Sequence, residues 1–213
     1  MKYKCIIFDC DGVLVDTEDI SIGTLLEMGN KLGAEIDFEF AMVNFLGKSL
    51  EYCYDFIKQR STKPFPSDFG EQYRALSFER FKNELKPIEG IHALIEKLEI
   101  PFCVASNGPL NKMQLNLKTV GLDEAFGDNM FSAYQLNTFK PDPALFIHAA
   151  ATLGFKPEEC VVIEDSDVGV KAAVSGGFDV FGFANSRSEA LLKKEGANLF
   201  YHMDELYALL EKQ

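Results

Sequence analysis

Basic residues are scarce in this sequence: 21 Lys and Arg stand against 33 Asp and Glu, a formal net charge of −12. Nucleic-acid binding wants clustered cations against the phosphates, so this balance argues against such a partner. The same field repels any anionic small molecule, and a phosphate site has to overcome it with a metal and a few local cations. Histidine is scarcer still. His92, His148 and His202 are far apart with no ligand spacing, and they read as surface or packing residues. The cysteines are Cys5, Cys10, Cys53, Cys103 and Cys160, an odd number with no Cys-x-x-Cys pair. Three fall in apolar strand-like runs, where a free thiol behaves as a small hydrophobe. Disulfides are therefore not expected, and a reducing compartment is. No uncharged apolar run approaches the ~18 residues needed to span a bilayer, and no leader segment is recognised, so no membrane partner and a cytoplasmic location are expected. Repeats, low-complexity tracts and heptads are absent as well.

What is present is an ordinary globular composition, 47% hydrophobic and 25% charged over 213 residues, enough chain to bury a sizeable core without staples. Its length suits one domain, or one domain with an insertion. The first apolar run, Cys5-Ile6-Ile7-Phe8, has strand length and ends in Asp9-Cys10-Asp11-Gly12. Short apolar runs bounded by a turn signal read as buried strands of a parallel sheet. Ligands of such sheets sit beyond the carboxyl ends of the strands. Asp9 therefore emerges where a site belongs, and a carboxylate there can be a nucleophile, a metal ligand or both.

From Thr17 to about Leu85 the pattern turns helical. Ile20, Leu25, Met28 and Leu32 recur at helical spacing before Gly33, and further helices are expected over Phe38–Phe45, Ser49–Gln59 and about Asp68–Leu85. Sheet patterning resumes after Pro87. The expected domains are thus an α/β core, 1–16 and 87–213, and an inserted all-helical unit, 17–86. Val13–Thr17 and Lys86–Gly90 serve as paired linkers, which suit a hinge. Within the insert, Phe45-Leu46-Gly47-Lys48-Ser49 is a glycine turn opening a helix with a cation, Lys48, and Arg74 is a further cation there.

Three more strand ends carry polar residues. Pro101–Ala105 leads into Ser106-Asn107-Gly108-Pro109, where a hydroxyl and helix-start N–H groups suit an oxygen-binding corner. Lys140-Pro141-Asp142-Pro143 fixes a lysine whose ammonium can be aimed as a point charge. Cys160–Ile163 ends in Glu164-Asp165-Ser166, followed by Gly169, Ala172 and Ala173, small residues that let a helix approach the sheet closely.

These stretches together resemble the haloacid dehalogenase superfamily, whose motifs appear in family order along essentially the whole chain: Asp9-x-Asp11-Gly12-x-x-x-Asp16, the strand-end Ser106, Lys140-Pro141, and Glu164-Asp165-Ser166-x-x-Gly169. The resemblance implies a Rossmann-like parallel sheet sandwiched by helices with a helical cap. It implies a magnesium-dependent phosphatase in which Asp9 attacks phosphorus and Asp11 serves as acid, then base. Ser106 and Lys140 are expected to hold the phosphate, with Asn107 and Lys48 as further substrate contacts. The Mg2+ ligands would be Asp9, the backbone oxygen of Asp11, and Asp165, with Glu164 second in rank. Asp11 argues against carbon–halogen cleavage, since the dehalogenase branch lacks that acid. The layout is shared with mutases of the β-phosphoglucomutase type, but Ser21 stands where those carry a cap histidine, which favours hydrolysis. No feature singles out an imine-forming lysine of the phosphonoacetaldehyde hydrolase kind. The segment Ser106–Met113 resembles bacterial phosphatases acting on 6-phosphogluconate and related sugar phosphates. A small phosphorylated metabolite is thus the expected partner, and a monomer, or at most a weak oligomer, the expected state.

Overall fold

The computed structural model describes residues 2–45 and 48–211. The chain divides into two compact units, Met1–Asp16 with Lys86–Gln213, and Thr17–Leu85.

In chain order the elements are β1 (Cys5–Phe8), β2 (Val15–Asp16), α1 (Glu18–Lys31), α2 (Phe38–Asn44), α3 (Leu50–Arg60), α4 (Phe69–Glu84), β3 (Lys86–Pro87), α5 (Ile91–Lys97), β4 (Phe102–Ser106), α6 (Leu110–Thr119), α7 (Asp123–Phe126) and β5 (Met130–Ser132). The chain continues through α8 (Ala133–Leu136), α9 (Ala144–Thr152), β6 (Cys160–Glu164), α10 (Asp167–Ser175), β7 (Asp179–Phe183), α11 (Glu189–Glu195), β8 (Asn198–Phe200) and α12 (Met203–Glu211).

Among the described residues the first unit holds a six-stranded sheet in the order β5-β4-β1-β6-β7-β8, parallel at every pairing. From β1 the chain steps outward to β4 and β5, then returns to lay β6 on the other side of β1. Strand order reverses there, and the loops after β4, β1 and β6 become neighbours; such a reversal opens a crevice at the strand ends. All residues of β1 are buried, as are those of β6, which explains why both read as continuous apolar runs rather than alternating ones.

On one face of the sheet, Ile7, Cys103 and Val162 pack with Phe146, Ala149 and Ala150 of α9 and Ala172 and Ala173 of α10. The alanines bring both helices close to the strands. On the other face the rings of Phe8, Phe102 and Phe126 meet edge-on at centroid distances of 5.1–6.3 Å. Each fully buried Phe, Ile, Leu or Val side chain stabilises by about 1.5–3 kcal/mol relative to exposure. All five cysteines are free and buried.

The second unit is helical. Its core gathers Ile22, Leu25 and Leu26 of α1, Ala41 of α2, Cys53 and Ile57 of α3, and Phe69 and Tyr73 of α4. Asp37 and Ser49 cap α2 and α3, their side chains accepting the N–H of Phe40 at 2.7 Å and of Tyr52 at 3.2 Å.

Three features differ from the sequence expectation. The segments read as linkers pair as an antiparallel ribbon, Val15 opposite Pro87 and Asp16 opposite Lys86, and Ile88 N–H donates to Leu14 O at 3.0 Å. Each strand is two residues long, too short for any period to show. Two four-residue helices, α7 and α8, have the same excuse. Finally, β5 stops at Ser132 because that hydroxyl caps α8 while the Gln135 side chain returns to the Ser132 N–H, a reciprocal capping box.

Candidate active site

Asp9 follows β1 directly. Its N–H donates to Ile163 O at 2.9 Å, continuing the ladder with β6 by one residue, and its side chain is buried. The chain then turns at Gly12, whose φ of +85° lies in the left-handed region. Space enforces the same choice, since a Cβ on Gly12 would fall on the Asp165 carboxylate. The acid loop after β6 thereby lies against the acid loop after β1.

Lys140 joins them. Its ammonium, fully enclosed, donates to Asp9 Oδ1 at 2.5 Å, Glu164 Oε1 at 2.6 Å and Ala105 O at 3.0 Å. Those bonds use the three N–H donors an ammonium possesses. The nitrogen also sits 4.6 Å from the centroid of the Phe146 ring, where the π face favours a cation. Burial works against the charged lysine, but Asp9 and Glu164 outweigh it and hold its pKa above the ordinary range. Asp9 moves the other way from a typical carboxylate. Burial pushes it up, to about 7, with Glu164 and Asp11 adding to the rise and Lys140 opposing it.

Glu164 differs from its expected place among metal ligands. One oxygen is taken by Lys140, and the other accepts from the N–H of Asp165 at 3.1 Å, the N–H of Ser166 at 3.0 Å and the Ser166 hydroxyl at 2.8 Å. It therefore fills the start of α10 as an internal anion, favoured there by the helix dipole. Gly169 makes the room, because a Cβ on it would overlap the Glu164 carboxylate. Asn107 likewise departs from its expected role as a substrate contact. Its Oδ1 accepts the Lys140 N–H at 2.9 Å and its Nδ2 donates to Lys140 O at 3.5 Å. The side chain is spent on pinning the backbone that carries the lysine.

Ser106 ends β4, buried, its hydroxyl accepting from Gly108 N–H at 3.0 Å. A Cβ on Gly108 would stand 3.4 Å from Ser106 Oγ and 3.7 Å from Asp11 Oδ2, so Ser106 and Asp11 flank one small gap. Asp11 itself is only partly buried. Its Oδ2 accepts from Lys112 Nζ at 2.7 Å and its Oδ1 from Asn116 Nδ2 at 3.3 Å. Neither partner is singled out by the sequence reading. The available signal is a polar residue, Asn116, on the otherwise apolar buried stripe that Met113 and Leu117 form on α6. Its Oδ1 is buried without a hydrogen-bond partner among the described residues, a loss of order 1–3 kcal/mol for a buried polar group.

Cys10 lies between the two acids in the chain. It is buried, and burial raises its thiol pKa well above normal, so it is an inert packing residue. Lys48 belongs to the helical unit and is exposed; Leu46 and Gly47 of its loop lie outside the described residues. Arg74 is exposed on α4.

The donor set fits a small hard cation. Asp9, Asp11, Glu164 and Asp165 set four carboxylates against the ammonium groups of Lys112 and Lys140, leaving negative charge in surplus. Among the described residues no three His, Cys, Asp or Glu side chains form a ready-made cage. Magnesium needs none, because one or two carboxylates, a backbone oxygen, water and a phosphate oxygen complete its octahedron.

Known proteins resemble this chain along most of its length. The family model for haloacid dehalogenase-like hydrolases matches residues 3–177. The chain is 32% identical over 206 residues to 6-phosphogluconate phosphatase of Escherichia coli, covering 96% of this chain and 93% of that one. It is 30% identical over 172 residues to hexitol phosphatase B of the same species, covering 78% and 77%. A haloacid dehalogenase-like protein from Agrobacterium tumefaciens superposes with a TM-score of 0.88 at 29% identity, covering 99% and 98% of the two chains.

Proposed function

Because the chain belongs to the haloacid dehalogenase-like hydrolases and is a phosphatase, we propose that it hydrolyses small sugar or sugar-acid phosphates, 6-phosphogluconate among them, through a phosphorylated Asp9 with Mg2+ as cofactor. One observation carries this reading: a buried lysine is bonded to a buried carboxylate at the end of the central strand, with a second acid two residues further on. That is the equipment for nucleophilic attack on an anion. The carboxylate oxygen is fixed in place, and a cation within bonding distance offsets the repulsion between nucleophile and phosphate.

In the first step an Asp9 oxygen bonds to phosphorus as the bond from phosphorus to the sugar oxygen breaks, and Asp11 passes its proton to the departing alkoxide. In the second, Asp11 takes a proton from water; the water oxygen bonds to phosphorus, and the acyl-phosphate bond breaks to return the Asp9 carboxylate. Ser106 holds a phosphate oxygen through both steps, and Lys140, its three donors taken by Asp9, Glu164 and Ala105 O, attracts the phosphate by its charge. Asp9, the Asp11 carbonyl and Asp165 would hold the cation, which supplies charge neutralisation at the phosphate when bound. Glu164 and Asn107 act through Lys140, one by bonding its ammonium and the other by bonding its backbone.

The identity to a 6-phosphogluconate phosphatase along nearly the whole chain supports a sugar-acid substrate, and the hexitol phosphatase likeness supports the wider sugar class. A panel of phosphorylated metabolites, scored by phosphate release with magnesium and with chelator, tests both parts. Preference for sugar and sugar-acid phosphates, lost on chelation, is expected. Release from nucleotides or phosphoproteins in preference to sugars, or undiminished release in chelator, would sink the reading.

A further inference from the structure

The first two turns or so of α6 run past the acid loop, and residues 112 and 116, four apart, share one face of it. Both aim at the same carboxylate: Lys112 Nζ lies 2.7 Å from Asp11 Oδ2, and Asn116 Nδ2 lies 3.3 Å from Asp11 Oδ1. Each oxygen of Asp11 thus has its own donor from one rigid element. A carboxylate on a turn is otherwise free to rotate about its side-chain bonds, and with both oxygens held it is not. Asn116 is fully buried, and its carbonyl oxygen has no partner among the described residues. A buried amide left half-satisfied is costly for packing alone, so its value lies in the bond it makes.

We propose that Lys112 and Asn116 are positioning residues, a two-armed brace on α6 that sets the orientation from which Asp11 exchanges its proton with the leaving sugar oxygen. This deepens the phosphatase reading and rests on Asp11 being the acid of that reaction.

Leaving-group dependence is the readout, because a general acid matters when the departing oxygen is a strongly basic alkoxide and hardly matters for p-nitrophenolate. The quantity to compare is kcat/KM, which reports steps up to transfer of the phosphoryl group and excludes its later hydrolysis. In Lys112→Met and Asn116→Ala, kcat/KM for an alkyl sugar phosphate is expected to fall at least ~10-fold further than for p-nitrophenyl phosphate. Lys112→Arg, which keeps a cation for Oδ2, is expected to recover most of the loss. Lys112 is partly exposed, so its Met variant folds even if the Asn116 variant does not; thermal melts report on both. Asp11→Asn is the control. If Asp11→Asn shows the leaving-group split and Lys112→Met loses both substrates equally, or neither, the brace is overturned. If Asp11→Asn itself loses both equally, the fault lies with the assignment of Asp11 as acid.

Discussion

Lys140 gathers the most physical consequence into one side chain. Its ammonium is buried between two carboxylates, one of which, Glu164, has no other cation in hydrogen-bond contact among the described residues. Removing Glu164 leaves the ammonium paired with Asp9 but takes the acceptor from the N–H groups of Asp165 and Ser166, and leaving such polar groups unpaired costs about 1–3 kcal/mol. Glu164→Ala is therefore expected to lower stability by that amount in denaturant unfolding, and to slow turnover because Lys140 loses an anchor. A variant as stable and as active as the parent would show that the ion pair holds nothing. Asn107→Ala is expected to slow turnover with only a small change in stability, about 1 kcal/mol, the usual net worth of a hydrogen bond. At this scale the sequence is readable where a residue type and a strand end coincide, as for Asp9 and Ser106, or where a proline follows a lysine in a turn, as for Lys140. It misleads where neighbouring residues compete for one role. Glu164 and Asp165 are adjacent acids at a strand end, so their side chains leave the backbone in opposing directions. No one-dimensional pattern says which of them meets the lysine.

Among the elements, α10 shows most plainly how packing serves the site. The Glu164 carboxylate accepts from the N–H groups that lead into it, and Gly169 supplies the volume. Gly169→Ala is expected to destabilise by about 1–3 kcal/mol, the range for overpacking a filled interior, and to lower activity by displacing Glu164 from Lys140. An unchanged melting temperature would contradict the close approach. A second element-level test concerns the start of β7, where Asp179 accepts from Lys2 at 2.6 Å and from the Tyr3 hydroxyl at 3.0 Å. Lys2 and Tyr3 hold its pKa below that of an ordinary aspartate. The folded form thus binds this proton less readily than the unfolded chain, so the contribution is complete above about pH 4 and fades as pH falls through the lowered value. The stability difference between parent and Asp179→Asn is expected to be constant near neutrality and to shrink in acid; a pH-independent difference would refute the linkage. Elements with several turns of periodic apolar residues, such as α1, α4 and α9, are evident in the sequence. Those of two to four residues, the β2–β3 ribbon and the helices α7 and α8, are not. Their existence depends on single bonds such as the Ser132 cap, which no window of periodicity samples.

The whole molecule carries a net charge of −12, yet its substrates as a phosphatase are anions. Moderate salt shortens the reach of the global field, from about 30 Å at 0.01 M to about 8 Å at 0.15 M, while leaving close contacts in the site less affected. Over that range kcat/KM on a doubly charged sugar phosphate is expected to rise; a steady fall would mean that local cations, not the overall charge, govern approach. Fold class was accessible from the alternation of apolar runs and helical stretches, because a parallel sheet buried on both faces writes itself as continuous hydrophobic strands. Strand order was not, since it depends on contacts distant in sequence, and it is that order which brings the β1, β4 and β6 loops together. The central assignment, that the carboxylate at the end of β1 is the group that takes the phosphoryl, is open to direct chemical trapping. The enzyme is quenched in acid during turnover and reduced with borohydride, which converts an acyl-phosphate aspartate to homoserine, and its peptides are then sequenced by mass spectrometry. Homoserine at position 9, absent without substrate, is the expected result. Conversion at any other position, or none from a quench taken while turnover is running, would contradict it.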